Sequence, residues 1–135
     1  MTDKELILEA IAARKNAYTP YSHFRVGAAL EGESGTVYRG CNIENAAYTP
    51  SNCAERTAFF KAVSQGERAF KRIAIVAGPE GGQLMHTAPC GVCRQVMMEF
   101  CKPESFQILL ATSPEQYRTY TLLDLLPEGF GPDNL

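Results

Sequence analysis

Two short apolar runs, KRIAIVAG (residues 71–78) and FQILLA (residues 106–111), constrain the fold of this chain most strongly. Both are continuous rather than alternating, which predicts strands that are buried on both faces. A helix is predicted between them, from Cys90 to a stop before Pro103, because apolar residues recur there at helical spacing: Val92, Val96, Met97 and Phe100. A strand–helix–strand unit of this kind forms a right-handed parallel crossover.

The remaining segments predict three more strands and further helices. Helices are expected over about residues 3–16, where Thr2 and Glu5 form a capping box, and from Cys53 to Gly66. A tight turn at Gly35 predicts a hairpin of residues 25–31 and 36–43, and the chain should end with a strand (117–121) and a short helix (122–126). The predicted fold class is α/β: a three-layer α/β/α sandwich with a mixed five-stranded sheet, in one domain spanning residues 1–135.

Composition and charge limit the classes of protein to which this chain can belong. The chain of 135 residues is 45% hydrophobic and carries a net charge of −2, whereas proteins that bind nucleic acid through phosphate contacts usually have a basic excess. No apolar stretch reaches membrane-spanning length, and the N-terminus MTDKELILEA lacks a signal-peptide core. We therefore expect a cytoplasmic protein with no nucleic-acid or membrane partner. Its five cysteines then favour metal binding or burial over disulfides.

Three cysteines are candidates for metal binding. Cys90 and Cys93 are three residues apart, which places both side chains on one face of a helix. Cys53 begins the preceding predicted helix and supplies a third thiolate. Three protein ligands leave one tetrahedral position open, as is typical of catalytic zinc. A lone C-x-x-C pair could also be a redox pair or two buried thiols. The third cysteine, Cys53, at the start of another predicted helix favours zinc.

The residues after Cys53 add an acid and a cation to the candidate site. Glu55 can take a proton from a water molecule that the metal activates; alternatively, it is an acid stabilised by the helix dipole. Three thiolates and one Zn²⁺ sum to a charge of −1, and Arg56 can offset this excess by hydrogen-bonding a ligand sulfur. The alternative for Arg56 is an ion pair with a surface acid.

Several motifs resemble those of the small zinc-dependent cytidine deaminases. Cys53-Ala54-Glu55 and Pro89-Cys90-x-x-Cys93 match the signature of zinc nucleoside deaminases. The segments YSHFRVGAAL, GCNIENAAY, NCAERTA, PCGVCRQ and LLPEGFGPDNL are similar to that family in order and spacing, over nearly the whole chain.

The resemblance implies roles for individual residues and an assembly. Cys53, Cys90 and Cys93 would bind one zinc ion per subunit, with Glu55 as the catalytic proton carrier and Arg56 beside the ligands. The implied assembly is a homotetramer with active sites at subunit interfaces. The substrate contacts that it implies are Phe24 on the pyrimidine, Asn42 and Glu44 on the ribose, Ala54 on the base edge, and Tyr48 and Phe130 closing the site.

The predicted function is hydrolytic deamination of cytidine or deoxycytidine to the uridine and ammonia, within pyrimidine salvage. Two alternatives within enzymes are a deaminase of polynucleotides, which generally needs a basic groove, and a deaminase of an unusual nucleoside. A third alternative is a non-enzymatic zinc-stabilised binding module, in which Cys41 or Cys101 supplies a fourth ligand.

Overall fold

The computed structural model describes residues 1–135 and contains a five-stranded sheet with helices on both faces. The strands are β1 (Phe24–Gly32), β2 (Val37–Cys41), β3 (Phe70–Pro79), β4 (Gln107–Ala111) and β5 (Tyr117–Thr121). The helices are α1 (Asp3–Arg14), α2 (Ala54–Ser64), α3 (Gly91–Phe100) and α4 (Leu122–Leu125), followed by a 3-10 turn at Pro132–Asn134. None of these helices combines the length and the apolar character needed to cross a membrane.

The strand order is β2-β1-β3-β4-β5. The pair β3–β4 is parallel, with Ile73 opposite Ile108 and Ile75 opposite Leu110, and the other three pairs are antiparallel. The predicted mixed sheet and its parallel crossover are therefore confirmed.

Alternate residues of the central strands fill two separate cores. Ala74 and Val76 of β3 face α1, where Leu6, Ile7 and Ala10 are fully buried. Their neighbours Ile73 and Ile75 point to the opposite core, which contains residues of α2 and α3: Ala54, Ala58, Phe59, Ala62 and Met97. Helices thus cover both faces, and the predicted three-layer sandwich is confirmed.

β5 begins and ends as predicted, whereas several other predicted element ends were wrong by one or two residues, for local reasons. The first helix ends at Arg14 rather than near residue 16, because the next N–H groups bond to carbonyls three residues back, as in a 3-10 turn. β2 ends at Cys41, because the side chain of Asn42 takes over part of the pairing with β1. The backbone N–H of Asn42 still donates to Val26 O at 3.3 Å, but Val26 N donates to Asn42 Oδ1 at 2.8 Å, and Asn42 Nδ2 donates to Phe24 O at 2.8 Å.

Two glycines allow the helices to lie close to the sheet. A Cβ atom on Gly27 would lie 2.1 Å from the carbonyl oxygen of Ala10 in α1, and one on Gly40 would lie 2.3 Å from that of Ala54 in α2. Both contacts are with backbone atoms, which side-chain rotation cannot relieve. The contact at Gly40 positions the start of α2, where the candidate site lies.

Candidate active site

Three cysteine sulfurs converge where two helices begin. Cys53 is the N-cap of α2, Cys90 is the N-cap of α3, and Cys93 lies in the first turn of α3. Cys53 Sγ is 3.8 Å from Cys90 Sγ, which is 3.6 Å from Cys93 Sγ. Tetrahedral zinc, with Zn–S bonds of about 2.3 Å, separates its sulfurs by about 3.8 Å. The three thiols therefore fit a zinc ion, and all five cysteines are free of disulfides.

The other two cysteines lie away from this cluster. Among side chains of the metal-ligating types, the cluster contains only Cys53, Cys90 and Cys93. Cys41 ends β2, and Cys101 follows the opposite end of α3 from Cys90. Burial raises the pKa of both thiols. A zinc-stabilised module with a fourth cysteine ligand does not match this arrangement.

The sulfurs lie in a field that favours negative charge. Arg56 Nη2 donates to Cys53 Sγ at 3.2 Å, and the N-termini of two helices add partial positive charge. Hydrogen bonds from the Cys93 thiol and from Arg56 lower the pKa of Cys53 to about 5. The same bond to Cys53, together with burial, raises the pKa of Cys93. A zinc ion bound by these sulfurs would displace any proton held between the two thiols, because thiolates are the ligand form.

A cleft of about 340 Å³ opens beside the sulfurs, and Glu55 lies in its wall. Glu55 is only 4% exposed. Burial, and next the negative charge of Cys53, raise the pKa of the Glu55 carboxyl to about 7. A buried carboxyl group in a cleft beside a candidate metal is suited to accepting and returning a proton near neutral pH.

Asn42 and Glu44 line the same cleft. Asn42 keeps one N–H and one lone pair free beyond its two bonds to β1. Glu44 Oε1 accepts from the backbone N–H groups of Tyr21 and Ser22 at 3.0 and 3.1 Å, and Oε2 accepts from the Ser22 hydroxyl. The hydroxyl bond is the largest of several contacts that lower the pKa of Glu44. Both side chains thus present fixed polar atoms to the cleft.

The other predicted substrate contacts are not among the residues that line the cleft. Phe24, the first residue of β1, is half-buried and projects from the same face of the strand as Val26. Ala54 is fully buried at the start of α2. Tyr48 and Phe130 are 75% and 59% exposed, so nothing in this chain encloses them.

Some residues of the cleft wall were not predicted from the sequence. Val26, Ile75, Thr87 and Ala88 line it, as do Ser51 and Asn52. The periodicity of β1 and β3 could have indicated Val26 and Ile75, because alternate strand residues face one side. No spacing signal marks Ser51, Asn52, Thr87 or Ala88 beyond their closeness in sequence to Cys53 and Cys90.

Comparisons with known proteins agree with this geometry. The family model for the cytidine and deoxycytidylate deaminase zinc-binding region matches residues 1–109. The chain is 51% identical over 135 residues to a cytidine deaminase of Sporosarcina psychrophila, covering 100% of this chain and 96% of that protein. It is 47% identical to a cytidine deaminase of Halalkalibacterium halodurans, with 100% and 98% coverage.

A solved structure resembles the whole fold. The crystal structure of a cytidine deaminase from Burkholderia pseudomallei superimposes with a TM-score of 0.86 at 48% sequence identity. The match covers 96% of this chain and 100% of that one. The similarity therefore includes the sheet, the helices on both faces and the segments that bear the three cysteines.

Proposed function

This chain belongs to the family of cytidine and deoxycytidylate deaminases, and we propose that it hydrolyses the 4-amino group of cytidine and deoxycytidine. The products are uridine or deoxyuridine and ammonia. One observation carries the proposal: three sulfurs at tetrahedral spacing share a cleft with a buried carboxyl group. The reaction needs a metal to activate water and a group that moves protons, and this cleft offers a place for both.

Cys53, Cys90 and Cys93 would hold one zinc ion per subunit. When bound, zinc supplies the nucleophile at neutral pH, because it lowers the pKa of water from about 15.7 to about 7. Arg56 bonds to Cys53 Sγ and so compensates the excess negative charge of three thiolates. With less negative charge at the sulfurs, the metal remains a stronger Lewis acid.

Glu55 moves the protons of the reaction. Its carboxylate first takes a proton from the attacking water and delivers it to N3 of the pyrimidine, which makes C4 electrophilic. After the hydroxyl oxygen has bonded to C4, Glu55 carries the second proton to the amino group, and the C4–N bond breaks to release ammonia. Because Glu55 is almost fully buried, bulk water does not easily substitute for it.

Asn42 and Glu44 bind the ribose in this proposal, with Phe24 against the pyrimidine and backbone groups of Ala54 at the base edge. Two observations support the ribose contacts. Both side chains line the cleft, and bonds to the backbone orient the Glu44 carboxylate and the Asn42 amide group. A free base would leave these polar atoms without partners. A nucleoside is therefore the better fit.

We place Tyr48 and Phe130 at subunit interfaces of a homotetramer, where each would close a neighbour's site. Their exposure on a single subunit supports this placement. Sedimentation velocity tests the assembly, which should give a species four times the mass of one chain. A monomer with full activity would contradict it.

We also place the reaction in pyrimidine salvage, in the cytoplasm. The products, a uridine nucleoside and ammonia, suit the recovery of nucleosides. Three thiolate ligands suit a reducing compartment, where cysteines are kept free of disulfides.

The decisive experiment follows the ultraviolet absorbance of cytidine with purified protein, with and without a chelator. Glu55→Gln keeps the shape of the side chain but cannot carry a proton, so kcat should fall by about 10²–10⁴-fold while zinc content is retained. Glu99→Gln, an exposed acid on α3, is the matched control and should leave kcat unchanged. Near-normal turnover by Glu55→Gln would refute the proton-transfer role.

A substrate panel distinguishes the remaining alternatives. Cytidine, deoxycytidine, base-modified cytidines and single-stranded oligonucleotides are compared under the same conditions. The net charge of −2 and a cleft of about 340 Å³ favour a single nucleoside. Preferred turnover of an oligonucleotide, or of a modified nucleoside, would reassign the substrate while leaving the chemistry in place.

A further inference from the structure

We propose that Ser22 is a positioning residue, whose hydroxyl holds the Glu44 carboxylate and the start of β1 in the arrangement that binds the sugar. This inference rests on the proposed function, because it assigns Glu44 to the ribose. It adds a residue that belongs neither to the metal cluster nor to the residues lining the cleft, and that contacts the cleft through Glu44.

The Ser22 hydroxyl makes two bonds in opposite directions. It donates to Glu44 Oε2, and it accepts from the backbone N–H of Phe24 at 3.0 Å. The second bond spans two residues, the pattern of a serine turn. His23 between them has a positive φ of 56°, the conformation of the third residue of a type II turn.

The two bonded groups belong to different parts of the fold. Phe24 begins β1, whereas Glu44 lies in the loop after β2. The loop between α1 and β1 supplies all three donors that reach Glu44: the N–H groups of Tyr21 and Ser22 on Oε1, and the Ser22 hydroxyl on Oε2. Only the Ser22 hydroxyl bonds to the second carboxylate oxygen, Oε2 of Glu44. Without it, the carboxylate remains attached at Oε1 but is free to rotate.

Rotation of Glu44 should affect binding of the sugar rather than the reaction at C4. Hydrogen bonds to charged groups are stronger than neutral ones, so the Ser22→Ala variant should bind cytidine more weakly. We expect KM for cytidine to rise about tenfold, equivalent to about 1.4 kcal/mol. The value of kcat should stay within about twofold, because uniform binding is lost while Glu55 and the sulfurs are untouched.

The test compares cytidine with 2′,3′-dideoxycytidine, which lacks the 2′ and 3′ hydroxyls that Glu44 is proposed to bind. Ser22→Ala should lower kcat/KM for cytidine about tenfold and leave that for the dideoxy substrate nearly unchanged. The ratio of the two values is independent of how much enzyme is folded. Ser22→Thr retains a hydroxyl at an exposed position. In that variant the ratio of kcat/KM for cytidine to that for the dideoxy substrate should return most of the way to its value in the unmutated protein.

Ser34 provides a matched control. Its hydroxyl also donates to a carboxylate, Glu67 Oε1, and also accepts from the N–H two residues on, that of Thr36 at 3.3 Å. It lies in the turn between β1 and β2, outside the cleft wall. Ser34→Ala removes the same kinds of bond and should leave the ratio of kcat/KM for the two substrates as in the unmutated protein.

The outcomes separate this inference from the proposed function. If the unmutated protein does not deaminate cytidine, the proposed function fails, and the role of Ser22 fails with it. If the protein is active but Ser22→Ala lowers kcat/KM equally for both substrates, or for neither, only the positioning role is overturned. A loss of kcat/KM that is confined to cytidine, and that Ser22→Thr recovers, supports the positioning role of Ser22.

Discussion

Replacing Gly40 by alanine tests how closely α2 must approach the sheet for the site to form. The added Cβ would lie 2.3 Å from Ala54 O and 2.6 Å from Ala58 N, both backbone atoms. An ordinary contact begins at 3.4 Å, so α2 has to move by 3.4 − 2.3 = 1.1 Å along the tightest direction. The moving end of the helix carries Cys53 and Glu55.

The size of the effect follows from this displacement. Overpacking of this kind costs about 1–3 kcal/mol of unfolding free energy. For 135 residues, an unfolding entropy of about 2.1 cal/mol/K per residue converts that cost to a fall in Tm of about 4–11 °C. A displacement of about 1 Å in a catalytic group can lower turnover by about 10²-fold.

Thermal unfolding and steady-state deamination of cytidine measure the two effects separately. Gly35→Ala is the control, because Gly35 has a φ of +91° and open space around its Cβ position. That variant should lose about 1–2 kcal/mol of stability through backbone strain and keep its kcat. If Gly40→Ala kept the unmutated Tm and kcat, the close approach would not hold the site together and the reasoning would be wrong.

Two further substitutions probe groups around the metal cluster. Arg56→Ala removes the 3.2 Å bond to Cys53 Sγ and should lower kcat about 10-fold or more, the usual loss for a group that supports metal ligands; full turnover with full zinc content would contradict the charge-compensation role. Gln95→Ala removes the bond from Nε2 to Phe130 O at 2.8 Å and frees the C-terminal segment, so KM for cytidine should rise with zinc content unchanged. An unaltered KM would show that the position of Phe130 does not depend on this bond.

The fold could be predicted well because most of its elements carry a strong periodic signal. The buried runs of β3 and β4, and the helix between them, followed from hydrophobicity alone. The sequence pattern was weaker where side chains replace backbone pairing. Asn42 ends β2 through its amide group, and hydrophobic periodicity contains no information about such a bond.

The candidate site was only partly predictable, for a related reason. The three cysteines and Glu55 could be assigned because their spacing matches a known chemistry. Ser22 was missed because its role depends on bonds to Glu44 and Phe24, which are 22 and 2 residues away in the chain. The roles proposed for Tyr48 and Phe130 require surfaces of neighbouring subunits, which a single chain does not contain.

Zinc coordination in the purified protein distinguishes a metal site with one open position from a closed one. X-ray absorption at the zinc edge of the purified protein should show three sulfur neighbours at about 2.3 Å and one lighter atom at about 2.0 Å. Metal analysis should give one zinc per chain, retained in Cys41→Ser and Cys101→Ser. Four sulfur neighbours, or loss of zinc from either of those two variants, would mean that the polypeptide fills the fourth position, and the hydrolytic mechanism would have no place to act.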